Sequence, residues 1–327
     1  MPESSEAIRL RADRAKGYAL AALAAACWAT GGLTAKWLFA TPSVATENWP
    51  LRPLGIVIEP IALAGSRAFS AFVILAVALA LARKRDLVIG LRDVPFFAVF
   101  GIAGLAMVHY TYFKTISLTN VATAILIEYL APILVLVVSV LFLKHRLTWT
   151  LPVGVALSVS GSALVVGAVG GQGLVVSPAG VMWGLLSAVF FAGYSLLGTV
   201  AASRYSPYTT LVWGLGFASL FWFAVLGPRT VLAVFANPRT AAVVVFVAVV
   251  STIIPFGAFL TALTYIAPTN ATVTSTIEPV LAGAGAFLLF GESLTPTQVL
   301  GGLFVVAAIA VVQLPERHPV AILPPQD

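Results

Sequence analysis

The sequence predicts an all-α membrane protein with ten transmembrane helices, arranged as two inverted five-helix repeats. Three observations carry that expectation. The chain is 60% hydrophobic and only 9% charged, with a mean hydropathy of +1.02. It divides into apolar runs close to the ~20 residues a helix needs to cross a hydrocarbon core. Motifs of the first half also recur in the second at a common offset.

Composition sets the solvent. A soluble domain carries roughly a quarter charged residues. At 9%, polar side chains are too few to coat a 327-residue core, so the surplus apolar surface requires lipid. The net charge of +6 is small and gives no footprint for nucleic acid. Cys27 stands alone, so no internal disulfide forms; with three histidines no metal-ligand spacing exists, and no cofactor motif is present.

The expected spans are 17–38, 60–82, 94–113, 121–143, 150–169, 179–200, 208–226, 240–263, 271–290 and 297–314. The first follows Arg9, Arg11, Arg14 and Lys16 and runs 19 residues from Gly17 to Ala35 without a charge. A signal-peptide core is about 7–15 residues, so a retained span is expected. Turn chemistry fills the connections: R-K-R-D at 83–86, K-H-R at 144–146, G-G-Q-G at 170–173, Y-S-P at 205–207 and L-G-P-R at 226–229. Segment 39–59 is the one long connection and reads as an external loop.

Basic residues give the direction. With the N-terminus inside, the inner segments hold Arg9, Arg11, Arg14, Lys16, Arg83, Lys84, Arg85, Arg92, Lys144, Arg146, Arg204 and Arg317. The outer ones hold Arg52, Lys114, Arg229 and Arg239. The chain therefore reads as a multi-pass protein of the cell (inner) membrane, with tails 1–16 and 315–327 both cytoplasmic.

The repeat appears when prolines are superimposed at an offset of 147 residues. Pro132 falls on Pro279, Leu147-Thr148 on Leu294-Thr295, and Gly154 on Gly301. Earlier in each half, Gly17 through Trp28-Ala29 resembles Gly180 through Phe191-Ala192. The halves are 1–172 and 173–327. Five is odd, so the second half enters the membrane from the opposite side. That is the inverted repeat of many secondary transporters, whose sites lie near the midplane.

The runs A-P-I-L-V-L-V-V-S-V-L-F-L-K-H-R-L-T, from Ala131, and E-P-V-L-A-G-A-G-A-F-L-L-F-G-E-S-L-T-P-T-Q-V-L-G-G, from Glu278, are similar to the EamA-type transporters of the drug/metabolite transporter superfamily. The likeness covers nearly the whole chain. It departs at Lys144-His145, where the second half has Gly291-Glu292, a change expected at a cytoplasmic helix end. The resemblance implies five-plus-five helices and passage of a small metabolite, often outward.

The expected function is secondary active transport of a small organic metabolite, an amino acid or a relative, by alternating access and toward efflux. A proton-coupled importer of a cationic amine, a lipid flippase and a membrane-embedded enzyme are the alternatives. The sequence lacks H-E-x-x-H, G-x-S-x-G, P-loop and dinucleotide signatures, which argues against an enzyme. The implied partners are a small-molecule substrate and the bilayer, with protons as a candidate coupling ion; monomer and homodimer both stay open.

Six residues are candidates for the substrate site. Glu128 lies seven residues into span 4, about 10 Å deep at 1.5 Å per residue. Glu278 reaches a similar level from the other side. A carboxylate there costs roughly 2.5–3.5 kcal/mol on insertion scales, so it must be paired, protonated or wet. Both are expected to meet a substrate amine or a coupling proton, against the alternative of a buried structural acid. Tyr129 and Trp183 could cup a ring or an amine. Arg67, seven residues into span 2, could hold a substrate carboxylate or pair with Glu128 or Glu59. His109 is either a proton relay or a packing residue. Pro132 and Pro279 each remove a helical hydrogen bond and are candidate hinges. Gly180 and Gly184 form a small-xxx-small pattern for close helix approach.

Overall fold

A computed structural model describes residues 5–39, 56, 58–119, 121–168, 174, 177–291 and 293–314. The expected external loop 39–59 and the tail 315–327 lie wholly or largely outside the described residues. Span 1 is helix α1 (Ser5–Phe39), and it begins well before the expected Gly17. The stretch S-E-A-I-R-L-R-A-D-R-A-K is rich in residues that favour helix, so the basic tail continues the span instead of preceding it. Span 2 is α2 (Pro60–Ala82), with the expected bounds.

Span 3 is composite. Helix α3 (Val94–Val99) widens into a π-helical stretch at Phe100–Ala106 and resumes as α4 (Met107–Leu118). Span 4 is broken, contrary to the expected continuous helix over 121–143. Helix α5 (Val121–Glu128) stops, and α6 (Ala131–Leu141) restarts beyond Tyr129 and Leu130. Span 5 is α7 (Thr150–Val165), span 6 is α8 (Pro178–Ala202) and span 7 is α9 (Pro207–Ala233). Within α9 the chain kinks at Gly227, whose φ of 76° suits glycine, and at Pro228. This is the L-G-P-R turn that marks the expected span end.

The second half repeats these irregularities. Span 8 is α10 (Pro238–Ala248), a π-helical stretch at Val249–Ile253, and α11 (Ile254–Ala262). Span 9 is α12 (Pro268–Ser275) and α13 (Glu278–Phe290), interrupted at Thr276-Ile277 where a continuous 271–290 was expected. Span 10 is α14 (Pro296–Gln313), started by a Thr295–Gln298 capping box. The two span breaks, 129–130 and 276–277, stand 147 residues apart, as do the ends of the π stretches at Ala106 and Ile253. The offset found in the motifs therefore also registers the backbone.

Nine runs among the described residues are long and apolar enough to cross a membrane, and α7 is a shorter apolar helix of 16 residues. Packing follows the repeat. Span 1 lies against span 8 as span 3 lies against span 6, and spans 5 and 10 pair with each other. Trp28 and its repeat counterpart Phe191 meet edge-on at 6.0 Å, between spans 1 and 6. The architecture is two inverted five-helix repeats.

The α7–α14 seam shows why glycines matter here. A Cβ on Gly161 would lie 2.8 Å from the Gly301 carbonyl, and one on Gly301 would lie 2.7 Å from the Gly161 carbonyl. Backbone thus touches backbone, as small-residue seams allow in lipid. Gly180 and Gly184 likewise let α8 close on Leu118 and Ile127.

The departure at Lys144 also has a structural meaning. Gly291 ends α13 in the left-handed region at φ 66°. Its counterpart Lys144 adopts φ 53°, among the described residues the sole non-glycine with positive φ. The turn lets the His145 N–H reach the Ser139 carbonyl at 3.0 Å. A lysine thus takes a glycine's backbone position.

Candidate functional site

The broken spans position the carboxylates. Glu128 is the last residue of α5, and Glu278 the first of α13, where the helix dipole favours an anion. Pro132 and Pro279 each follow their break by a residue or two. Each falls in the first helical turn, where no partner is needed for the missing N–H. The expected loss of a bond at the proline is replaced by an interruption just ahead of it.

Three of the six candidates come together. Glu128 accepts a short hydrogen bond from the Ser187 hydroxyl on α8. The Tyr129 phenol lies 2.6 Å from Glu278 Oε2 and 3.0 Å from the Ser275 carbonyl. Tyr112 stands within electrostatic reach of both carboxylates. Tyr112 belongs to the aromatic run Y-T-Y-F at 110–113, which could cup a ring or an amine. Ser187 and Ser275 were not singled out in the sequence; a serine hydroxyl or a backbone carbonyl carries no charge to mark it.

Proton counting around Tyr129 is informative. A phenol owns one proton, so it can donate to only one of its two oxygen neighbours. If Glu278 is protonated, the acid donates to the phenol and the phenol to the Ser275 carbonyl. If Glu278 is ionised, the phenol turns to the carboxylate and the carbonyl loses a donor. Neither carboxylate has a Lys or Arg partner among the described residues.

Arg67 and His109 lie elsewhere. Arg67 is 7% exposed, pairs with neither Glu128 nor Glu59, and has no hydrogen-bond partner at Nη2. Its guanidinium lies 5.8 Å from the centre of the Phe113 ring. A desolvated cation–π contact is worth about 2 kcal/mol, short of the several kcal/mol a buried ion loses on leaving water. His109 Nδ1 donates to the Leu105 carbonyl at 2.6 Å, and its ring packs on Phe256 at 5.3 Å. That is a packed histidine with one nitrogen committed. Trp183 stands one turn from Ser187 on α8 and meets Tyr110 edge-on at 5.4 Å. Among the described residues no cluster of three or more His, Cys, Asp or Glu is placed to hold a metal ion.

A ten-span helical bundle with inverted halves, broken at two half-buried carboxylates, has the build of a multi-pass membrane transporter. The chain belongs to the EamA-like transporter family, which matches residues 15–167 and 178–314. It is 28% identical to an uncharacterized transporter of Archaeoglobus fulgidus, over 64% of this chain and 75% of the other. It is 24% identical to the uncharacterized inner membrane transporter YicL of Salmonella typhimurium, over 69% and 75%. A protein of Streptantibioticus cattleyicolor named a probable terminal-alkyne amino-acid exporter is 25% identical over 68% and 73%. A crystal structure at 20% identity superposes with a TM-score of 0.71, covering 92% of this chain and 97% of that one, which establishes the fold.

Proposed function

We propose that this protein is a secondary active transporter that exports a small amine-bearing metabolite, an amino acid or a relative, rather than an enzyme. Its halves, 1–172 and 173–327, alternate access to a midplane site, and both termini face the cytoplasm of the cell membrane. The observation that carries this reading is the pair Glu128 and Glu278, half-buried at the breaks of spans 4 and 9 and held by neutral hydroxyls. Among the described residues no fixed cation pairs with either, which leaves a substrate amine or a proton as the partner of the ionised form. The name of the Streptantibioticus relative favours an amino acid and an outward direction.

Protons as the coupling ion form the second reading. It is favoured by the Tyr129 geometry, which accommodates Glu278 in both ionisation conditions by turning one O–H. In either case the substrate amine or the proton drives the cycle only by binding the two states unequally.

Counterflow in proteoliposomes tests the proposal, using labelled amino acids and primary amines. At least one is expected to show trans-stimulated uptake that Glu128→Gln abolishes. Folded protein that exchanges no member of the panel would overturn the reading. A reporter fused after Asp327 and one within 83–93 should both read cytoplasm; either one outside would reverse the orientation.

A further inference from the structure

The end of the bundle that carries both tails is tied shut by three spans. The Val312 carbonyl lies in the last turn of α14, where carbonyls lack helical donors. It accepts the Tyr18 hydroxyl of α1 at 2.7 Å and the Asn270 amide of α12 at 3.2 Å. The same amide donates to the Tyr18 oxygen at 2.6 Å, so the three groups close a ring, and all three residues are buried. Beside the ring, Lys16 donates to the Tyr265 phenol at 2.8 Å, and Gly17 packs on Tyr265 and Ile266. The other amide atom, Asn270 Oδ1, is buried without a donor.

The far end is built differently. By the correspondence of Gly17 with Gly180, Tyr18 falls on Val181, which has no hydroxyl. At the 147-residue offset Val312 falls on Val165, whose carbonyl accepts the Gln298 amide at 3.2 Å. That bond joins spans 5 and 10 and does not hold span 6. The half-helices differ likewise. Every residue of α12 is buried, against α1, α6 and α14 among others, although it carries Thr269, Asn270, Thr272, Thr274 and Ser275. Its counterpart α5 has Ile125 and Ile127 where α12 has Thr272 and Thr274. Both threonines donate to carbonyls of their own helix, at 2.9 and 2.7 Å. Such hydroxyls can turn to water when a seam opens, so α12 costs less to wet than α5.

We propose that the Tyr18–Asn270–Val312 ring is a latch that holds this end closed, and that release of α1 from α12 opens a polar path toward Glu278. The undonated Asn270 Oδ1 suits a latch that must release, because water entering with the opening supplies the donor that the closed form withholds. The proposal rests on the transport reading for two points: that this end is cytoplasmic, and that the two ends open in turn.

Cysteine accessibility tests the latch. Thr274→Cys reports this end: it stands four residues beyond Asn270 and four before Glu278, is 1% exposed and nearly keeps its volume. Ala124→Cys reports the far end, four residues before Glu128 and equally buried. Both are made in a Cys27→Ala background, and a hydrophilic maleimide is applied to the full-length protein in detergent. Tyr18→Phe removes only the hydroxyl. It is expected to speed labelling of Thr274→Cys about fivefold, the population shift that loss of one net hydrogen bond gives. Labelling of Ala124→Cys should stay level or slow. Asn270→Ala should repeat the pattern, and should it fail to fold, Tyr18→Phe alone decides. An unchanged rate at Thr274→Cys overturns the latch. Equal acceleration at both positions overturns it too, since that marks general loosening. A rise confined to Thr274→Cys alongside failed counterflow would sink the transport reading and leave the latch standing. Counterflow without that rise would sink the latch alone.

Discussion

Tyr129 and Glu278 approach to 2.6 Å, joining the break in span 4 to the first turn of α13. The bond crosses from one repeat to the other at the level of both interruptions. Removing the hydroxyl with Tyr129→Phe leaves a half-buried carboxyl group and the buried Ser275 carbonyl without their shared partner. An unsatisfied buried polar group costs about 1–3 kcal/mol. Tyr129→Phe should therefore lower the unfolding midpoint in detergent and alter the pH profile of transport. An unchanged midpoint and profile would mean that water replaces the phenol freely.

Glu128→Gln keeps shape and hydrogen-bonding capacity and fixes the charge at zero. It should abolish amine- or pH-dependent transport while expression and folding persist, and exchange of neutral substrates that carry no amine should survive. Ser187→Ala, which removes the donor to Glu128, should reduce the same activity about tenfold. If Glu128→Gln transports at the normal rate and with the normal pH profile, Glu128 is a structural acid.

Lys144 sits in a conformation that costs an L-residue about 1–2 kcal/mol. Glycine relieves this but loses more entropy on folding, by roughly 0.5–1 kcal/mol. Lys144→Gly should raise stability by up to about 1 kcal/mol, and Gly291→Lys should lower it. Equilibrium unfolding of the pair checks both signs, since opposite directions are required.

The α7–α14 seam has no space for a methyl group. Gly301→Ala places a Cβ about 2.7 Å from the Gly161 carbonyl and the Val165 nitrogen. Overpacking of this kind typically costs about 1–3 kcal/mol. The expected result is a lower unfolding midpoint, with Gly302→Ala as a milder control because its nearest neighbour would be a Val280 methyl at 3.4 Å. Equal effects at 301 and 302 would show that the seam opens easily.

Much of the frame was legible because lipid imposes length and sign rules on a sequence. Pro60–Ala82 follows from its flanking proline and basic cluster, and the 147-residue offset followed from Pro132, Leu147-Thr148 and Gly154. The breaks were not legible, because Tyr129-Leu130 and Thr276-Ile277 contain neither glycine nor proline. Only the prolines two residues later hinted at them. The carboxylates stood out by their cost in an apolar run. Their partners did not, since a hydroxyl that bonds across helices looks the same in sequence as one that bonds its own backbone, as Thr274 does to Asn270. The separation of Arg67 from Glu128 also needed three dimensions, because depth along a span says nothing of azimuth.

The matched breaks and π stretches have a consequence for how the molecule is biased. A frame whose halves bend at equivalent places has nearly the same energy when the two exchange shapes. Whatever preference exists for facing one side must then come from positions where the halves differ. Glu128 corresponds to Ser275, Tyr129 to Thr276, Glu278 to Ala131 and Lys144 to Gly291. The scaffold is the seesaw, and a handful of unmatched side chains are the weights. Reversing the resting tilt would therefore require exchanging those few residues between ends, with the beam left as it is.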